Sequence, residues 1–116
     1  MNDPIQQLAQ DLDEFAQARD WQQFHSPKNL ASALTVEASE LLEHFQWLTE
    51  EQSRHLDADK RQAVAFEMAD VLLYLVQLSS ALNIDLMDAA RRKMVINAQR
   101  YPAEQSRGNS KKHSEF

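Results

Sequence analysis

The sequence has no cysteine, a single glycine and only three prolines among its 116 residues. Without cysteine there is no disulfide framework, no thiolate nucleophile and no zinc site of the cysteine type, and a reducing compartment fits best. The scarcity of glycine and proline leaves little turn chemistry for a meander of short strands, whereas alanine, leucine, glutamine and glutamate are abundant. The composition therefore predicts an all-α fold.

The sequence also lacks a basic charge balance and targeting signals. Its formal net charge is −6, which argues against binding to nucleic acid because neutralising phosphates requires a basic surface. The N-terminus has neither the basic nor the apolar region of a signal peptide, and no uncharged apolar run reaches the roughly 18 residues that span a bilayer. We therefore expect a cytoplasmic protein without membrane association, and a small anionic ligand carried by metal ions remains compatible with this charge.

Helical spacing of apolar residues, together with start signals, divides the chain into helices. The predicted helices cover residues 4–19, 27–48, 58–82 and 86–100, and a capping-box pattern predicts a helical turn at 49–52. The first two begin where an N-cap residue, Asp3 or Ser26, precedes proline. Asn83 is predicted to take the left-handed conformation after the third helix, and Pro102 follows the fourth. Four helices with short links indicate an antiparallel bundle.

The chain is predicted to form one domain over residues 1–101, followed by a polar tail over 102–116. Its length suffices for one hydrophobic core and is too short for two. From Pro102 onward only Ala103 and Phe116 are apolar. We therefore expect the tail to be mobile or to lie on a partner.

Two pairs of carboxylates interrupt apolar stripes on the second and third predicted helices. Glu37 occupies a stripe of leucine and phenylalanine, and Glu40 follows one turn later, about 60° away on a helical projection. Glu67 and Asp70 are the only charged residues between positions 63 and 82. Because a helix that is apolar nearly all round is typical of a buried helix, these side chains are predicted to face the bundle interior.

A buried carboxylate must be protonated, paired with a cation or bound to metal, because its uncompensated burial is costly. No lysine or arginine occurs at positions 31–50 or 63–89, so a metal ion is the simplest explanation. All-oxygen ligation favours Mg²⁺, or Mn²⁺, over zinc. The alternative is a solvated acidic helix face. The predicted metal ligands are Glu37, Glu40, Glu67 and Asp70.

The fourth predicted helix has a basic face. Lys93, Asn97 and Arg100 recur at i, i+4 and i+7 and therefore share one side of the helix, with Tyr101 just beyond them. Lysine and arginine suit phosphate contacts. The alternative is a solvated basic helix end that the helix macrodipole favours.

Two segments, LTVEASELLEHFQW (34–47) and FEMADVLLYLVQLS (66–79), resemble the ExxE and ExxD signature of the all-α NTP pyrophosphatases, the MazG-like superfamily. The segments RDWQQFHSPKNL (19–30) and KMVINAQRYPAEQSRG (93–108) make the sequence more similar to the dCTP pyrophosphatase family. The four segments occur in order over about residues 5–108. The resemblance implies an antiparallel four-helix bundle of the MazG-like type, assembled as a dimer or tetramer.

For activity, the resemblance implies Mg²⁺-dependent hydrolysis of dCTP, or a related pyrimidine nucleoside triphosphate, to the monophosphate and pyrophosphate. Glu40, the inner carboxylate, is the candidate general base. In the family, the positions that match Lys93, Asn97, Arg100 and Tyr101 contact the phosphates and the sugar.

The same resemblance assigns a base pocket. Trp21, His25 and Trp47 match its positions, and Tyr74 resembles a tyrosine beneath the deoxyribose. An aromatic stack contributes about 1–3 kcal/mol per base but tolerates any ring, so it does not by itself set specificity. For Trp47 the alternative is a core residue.

Two alternative functions stay open. One is a broad-specificity MazG-like hydrolase of nucleoside triphosphates or dUTP, and the other is a non-catalytic helical interaction module. Metal-dependent release of pyrophosphate distinguishes an enzyme from the module.

Overall fold

The computed structural model describes residues 3–110 and Ser114, and all regular secondary structure in this part of the chain is helical. The elements are α1 (Pro4–Ala18), a 3₁₀ turn (Gln22–Phe24), α2 (Pro27–Glu43), α3 (Glu50–Ser53), α4 (Ala58–Ala81), α5 (Leu86–Arg100) and α6 (Ala103–Ser106). The all-α class and the existence of each predicted helix are therefore confirmed. The 3₁₀ turn and α6 were not predicted.

Each long helix begins at a side chain that accepts a hydrogen bond from the first turn, as the sequence predicts for Asp3 and Ser26. The N-cap residues are Asp3, Ser26, Asp57 and Asp85. The short helix α3 has the predicted capping box. The backbone N–H of Gln52 donates to the Thr49 hydroxyl at 3.1 Å, and the Thr49 N–H donates to the Gln52 side chain at 2.9 Å.

The end of α4 confirms the prediction for Asn83, whose φ is 53°. The N–H of Ile84 donates to the Ser79 carbonyl at 2.8 Å, and the N–H of Asn83 donates to the Ser80 carbonyl at 3.1 Å. This Schellman pattern satisfies carbonyls that the last helical turn leaves without partners. An asparagine tolerates the left-handed conformation better than most residues.

The prediction that the second helix extends to residue 48 is wrong, because α2 ends at Glu43. The chain then tightens through i to i−3 hydrogen bonds, with the N–H of Leu48 donating to the Phe45 carbonyl at 2.9 Å. Thr49 is extended as the N-cap of α3, at φ −72° and ψ 165°, so no helix runs from α2 into α3. Trp47 therefore lies on a turn and is 87% exposed, which contradicts the alternative that it is a core residue.

The chain forms two compact units, Met1–Ile84 and Asp85–Phe116. In the first unit α4 packs mainly against α2 and also against α1, and its buried apolar side chains are Ala16, Leu30, Val64 and Val76. The second unit contains α5 and α6. The four-helix bundle and the domain boundary at residue 101 stay predictions. Residues 111–113, 115 and 116 of the predicted mobile tail lie outside the described residues.

Helix α4 exposes a large part of its apolar surface in the single chain. Only Val64, Val76 and Ser79 are buried on it, whereas Phe66 is 65% and Met68 57% exposed. The apolar surface of α4 is therefore only partly covered in a single chain, because α1 and α2 pack against only part of its circumference.

Among the described helices, α4 is also the one whose length and apolar composition would suit a membrane span. The core helix of a soluble protein meets the same criteria, however, and Glu67 and Asp70 lie within this helix. A charged side chain such as aspartate at the centre of a membrane helix costs about 2.5–3.5 kcal/mol. The absence of membrane association stays a prediction.

Candidate functional site

Carboxylates from α2 and α4 meet in the first unit. Oxygen atoms of Glu37, Glu67 and Asp70 all lie within 4.8 Å of one another. Glu37 and Glu67 are half-buried, whereas Asp70 is exposed, so the expectation that all four carboxylates are interior does not hold for Asp70. One oxygen of Glu37 and one of Glu67 are buried without a hydrogen-bond partner. The arrangement concentrates negative charge that the protein itself leaves unsatisfied.

Glu40, one turn beyond Glu37, lies beside this three-residue group but is not part of it. The pKa of Glu37 is raised, chiefly because the neighbouring Glu67 carboxyl favours a shared proton, and next by burial. The pKa of Glu40 is raised in the same way, chiefly by Glu37. Both shifts show that full ionisation of the cluster is unfavourable when no cation is present.

The cluster fits a hard divalent cation. No lysine or arginine in the described part of the chain forms an ion pair with any of the four carboxylates, and the ion pairs that do occur lie on α5 and around α3. The two unpartnered buried oxygens on Glu37 and Glu67 would gain a partner from a bound ion. Donors that are all carboxylate oxygens favour Mg²⁺ or Mn²⁺.

The raised pKa values predict how metal-free stability varies with pH. Above the ordinary value of 4.5 the folded state holds more protons than the unfolded state. This additional proton binding stabilises the folded state. The stabilisation is complete below pH 4.5, and it is lost as the pH rises through the raised pKa values of Glu37 and Glu40. In EDTA, the melting temperature of the wild type minus that of Glu37→Gln should fall as the pH rises from about 4.5 towards neutrality.

Thermal unfolding of both proteins, followed by circular dichroism across this range, measures the difference. Adding Mg²⁺ should raise the wild-type melting temperature most at the upper end of the range, because more ligand groups are then ionised. A difference that rises with pH, or a Mg²⁺ effect that is largest in acid, would contradict the assignment.

The Trp21 side chain, in the segment that follows α1, packs back against that helix. Asp20 has a φ of 53°, and the N–H of Trp21 donates to the Ala16 carbonyl at 3.0 Å. The Trp21 ring then meets the Phe15 ring edge to face, with centroids 5.7 Å apart. The Arg19 guanidinium lies 3.6 Å from the centroid of the Phe15 ring. Backbone and side-chain contacts together therefore fix the position of Trp21.

The 3₁₀ turn that precedes His25 is anchored to both neighbouring helices. The side-chain amide of Gln22 donates to Asp13 on α1 at 2.9 Å. The side-chain amide of Asn29 on α2 donates to the Phe24 carbonyl at 3.0 Å. His25 is thus held at the point where the chain enters α2.

A cavity of about 470 Å³ joins this aromatic segment to the carboxylates. The residues that line it and were predicted from the sequence are Trp21, His25, Glu37, Asp70 and Tyr74. The further lining residues, which the sequence analysis did not single out, are Leu8, Asp11, Leu12, Phe15, Leu73 and Gln77. A cavity with an aromatic end and an acidic end suits a ligand that combines a flat ring with an anionic group bound to a metal ion.

Of the five remaining predicted residues, one lies on the turn after α2 and four belong to the second unit. Trp47 does not line the cavity of its own chain. Lys93, Asn97 and Arg100 are exposed on α5 in the second unit, and Tyr101 is the C-cap residue of that helix. Their functional roles stay predictions.

Comparisons with known proteins agree in pointing to one family. The model of the MazG-like family matches residues 33–116. The chain is 45% identical to dCTP pyrophosphatase 1 of Homo sapiens over 105 residues, and 42% identical to the Bos taurus protein of the same name over the same length. Both alignments cover 89% of this chain, and the chain spans 62% of the length of these curated relatives.

The fold also matches a solved structure. The crystal structure of a pyrophosphatase from Archaeoglobus fulgidus superimposes with a TM-score of 0.81 at 36% sequence identity. The match covers 88% of this chain and 95% of the archaeal chain.

Proposed function

The chain belongs to the MazG-like family, and from this premise we propose that it is a nucleoside triphosphate pyrophosphatase. It hydrolyses the bond between the α- and β-phosphates and releases the monophosphate and pyrophosphate. The observation that carries this proposal is the cavity that joins the carboxylates Glu37 and Asp70 to the aromatic ring of Trp21. One end has the chemistry to hold a metal-bound triphosphate, and the other has the chemistry to hold a base.

The proposed substrate is dCTP or a related pyrimidine nucleotide. Support comes from relatives at 42–45% identity, each of which is named dCTP pyrophosphatase 1. A broader MazG-like specificity, including dUTP, is the alternative substrate class. A function in cleaning the nucleotide pool of the cytoplasm would follow from either.

The proposed metal ligands are Glu37, Glu40, Glu67 and Asp70, with Mg²⁺ as the ion and Mn²⁺ as a substitute. When bound, the metal neutralises phosphate charge and lowers the pKa of water. Glu40 is the proposed general base. It lies beside the three-residue group, next to Glu37, and this neighbourhood supports a role in accepting a proton from a water at the edge of the cluster.

The proposed substrate contacts follow the chemistry of each side chain. Trp21 and His25 line the cavity at the base end, and Tyr74 lies on α4 one turn beyond Asp70, where a sugar would follow a metal-bound phosphate. Lys93 and Arg100 are proposed to bind phosphate through charge-assisted hydrogen bonds. Asn97 and Tyr101 are proposed to contact the phosphates and the sugar of the same substrate.

We expect the protein to be a dimer or tetramer. Phe66 is 65% exposed on α4, and Leu42 is 61% exposed on α2. Large apolar surfaces of this kind mark association sites because leaving them in water is unfavourable. Light scattering coupled to gel filtration should therefore give two or four times 13.4 kDa. Phe66→Glu should shift that mass downward, and a wild-type monomer at low micromolar concentration would rule out the assembly.

Trp47→Ala is expected to raise the KM for dCTP by about tenfold while changing kcat less, as for a contact made about equally in ground and transition states. Because Trp47 lies outside the cavity of its own chain, this contact would be made in the assembled oligomer. Its 87% exposure predicts little change in the melting temperature of the folded chain. Steady-state kinetics and thermal unfolding measure the two effects, with Phe24→Ala, another exposed aromatic, as control. An unchanged KM would remove Trp47 from the site.

A panel of ribo- and deoxyribonucleoside triphosphates with Mg²⁺ tests the proposed function. We expect pyrophosphate release to be fastest with dCTP, as judged by kcat/KM. Comparable values across the panel would favour the broad-specificity alternative. No release from any triphosphate by folded protein with Mg²⁺ would favour the helical interaction module.

A further inference from the structure

Arg19, the C-cap residue of α1, contacts Phe15 in two ways. Its guanidinium donates a hydrogen bond to the Phe15 carbonyl at 3.0 Å, and the guanidinium carbon lies 3.6 Å from the centroid of the Phe15 ring. A planar guanidinium can stack on an aromatic face while it donates hydrogen bonds, whereas the ammonium group of lysine is a point charge on a flexible stem. The two contacts together fix the orientation of the Arg19 side chain.

The sequence around Arg19 offers acidic partners that the guanidinium does not take. Arg19 is the only lysine or arginine among the first 27 residues, and Asp13, Glu14 and Asp20 are close to it in sequence. It nevertheless forms no ion pair in the part of the chain that the structure describes. Its contact with an aromatic ring therefore distinguishes Arg19 from an ordinary solvated arginine.

The Phe15 ring connects Arg19 to the 470 Å³ cavity. Phe15 meets Trp21 edge to face, with ring centroids 5.7 Å apart, and the Arg19 guanidinium carbon lies 6.0 Å from the Trp21 ring. Phe15 and Trp21, here called the aromatic pair, both line the cavity, whereas Arg19 does not. An effect of Arg19 on a ligand in the cavity would therefore pass through the aromatic pair.

Burial alone does not hold the aromatic pair in place. Phe15 and Trp21 are each exposed over nearly half of their surface, so neighbouring groups surround only part of each ring. When a base stacks on a ring that is not already ordered, binding has to order it. The apparent dissociation constant then rises as the fraction of chains with the ring in place falls. A contact that orders the aromatic pair before binding therefore increases affinity.

We propose that Arg19 is a positioning residue for base binding, an inference that rests on the proposed function. By stacking on Phe15, its guanidinium holds the aromatic pair in the orientation in which Trp21 stacks on the base. Arg19 does not touch the substrate and takes no part in the chemical step. Its loss should therefore weaken binding and leave turnover unchanged, because a stack on the base is made about equally in the ground and transition states.

Arg19→Gln, which removes both the charge and the planar guanidinium, tests the proposal. We expect the KM for dCTP to rise by about threefold to fivefold, with kcat within about 1.5-fold of the wild-type value. Arg61→Gln, the same change at an exposed position of α4 that does not line the cavity, is the control and should leave both constants unchanged. An unchanged KM in Arg19→Gln, or a fall in kcat alone, overturns the proposal.

Arg19→Lys separates stacking from charge. It keeps the charge but not the planar group, so the KM should still rise by about twofold or more. A wild-type KM in this variant would show that charge alone is sufficient, and it would overturn the proposal. Thermal unfolding of both Arg19 variants identifies a merely structural role, which would lower the melting temperature and leave the KM of the folded protein unchanged.

A double-mutant cycle tests whether Arg19 acts through the Phe15 ring. Phe15→Leu removes the ring and keeps the backbone carbonyl to which Arg19 donates. In that background Arg19→Gln should change the KM by less than about 1.5-fold, because the effects of residues that act through one contact are not additive. A further increase as large as that in the wild-type background would show that Arg19 acts independently of the ring, and it would overturn the proposal.

Calorimetric titration with dCMP separates failure of this proposal from failure of the proposed function. If the wild type hydrolyses no triphosphate, the proposed function fails, but Arg19 is still tested because its role concerns binding. The dissociation constant of dCMP should be about three to five times higher for Arg19→Gln than for the wild type. Equal dissociation constants, or a wild type that does not bind dCMP, would overturn the role of Arg19.

Discussion

Glu37→Gln is expected to reduce the turnover of dCTP by about 100-fold or more while leaving the melting temperature of the metal-free protein unchanged or higher. The substitution removes one charged ligand from the carboxylate cluster, and loss of an acid–base or ligand group typically costs about 10²–10⁴ in rate. It also removes a like charge whose neighbours raise the pKa of Glu37 in the wild type, and this relieves repulsion. Loss of activity without loss of stability distinguishes a metal ligand from a structural group.

The matched substitution Asp70→Asn should behave in the same way, since Asp70 belongs to the same cluster. Glu14→Gln, an identical change at an exposed position of α1 that does not line the cavity, is the control and should leave both quantities unchanged. The measurements are initial rates of pyrophosphate release at saturating Mg²⁺ and thermal unfolding in EDTA. A fall of several degrees in the melting temperature of either cluster variant would instead assign the carboxylates to a structural ion pair.

Removing the metal from the wild type is expected to abolish hydrolysis. No lysine or arginine of the described chain pairs with the carboxylate cluster, so without a divalent ion the site repels an anionic triphosphate. EDTA should therefore reduce pyrophosphate release to background, and Mg²⁺ or Mn²⁺ should restore it. EDTA that is already saturated with Mg²⁺ serves as the control and should have no effect. Activity that persists after exhaustive chelation would exclude the proposed chemistry.

Helix starts were predictable because they depend on local chemistry. Asp3 and Ser26 each precede a proline and cap their helices as the sequence indicates, and Asn83 takes the left-handed conformation that follows from its side chain. The end of α2 was not predictable from periodicity alone. Apolar residues continue at helical spacing to Leu48, but the chain leaves the α-helix after Glu43 and tightens through i to i−3 hydrogen bonds before Thr49 caps α3.

The burial of α4 shows a second limit of sequence patterns. Apolar periodicity records which surfaces avoid water in the functional protein, and it does not say whether the same chain or another copy covers them. Phe66 and Met68 are therefore exposed in the single chain, although the apolar sequence of α4 is typical of a buried helix. Partner copies are the proposed cover for these residues.

The acidic end of the candidate site was visible in the sequence because Glu37 and Glu67 interrupt apolar stripes. The base end was harder to predict. Leu12 and Phe15 have the spacing of core residues on α1, yet they line the cavity. The left-handed conformation of Asp20 directs Trp21 back toward Phe15. Gln77, which also lines the cavity, was not predicted because one uncharged polar residue in an apolar helix is common.

The identity of the products formed from dCTP tests the central claim most directly. Phosphorus NMR of a reaction that contains the wild-type protein, dCTP and Mg²⁺ resolves pyrophosphate from orthophosphate and dCMP from dCDP. We expect dCMP and pyrophosphate in equal amounts, with no signal from dCDP. Formation of dCDP and orthophosphate would place cleavage at the terminal phosphate and contradict the proposed pyrophosphatase activity.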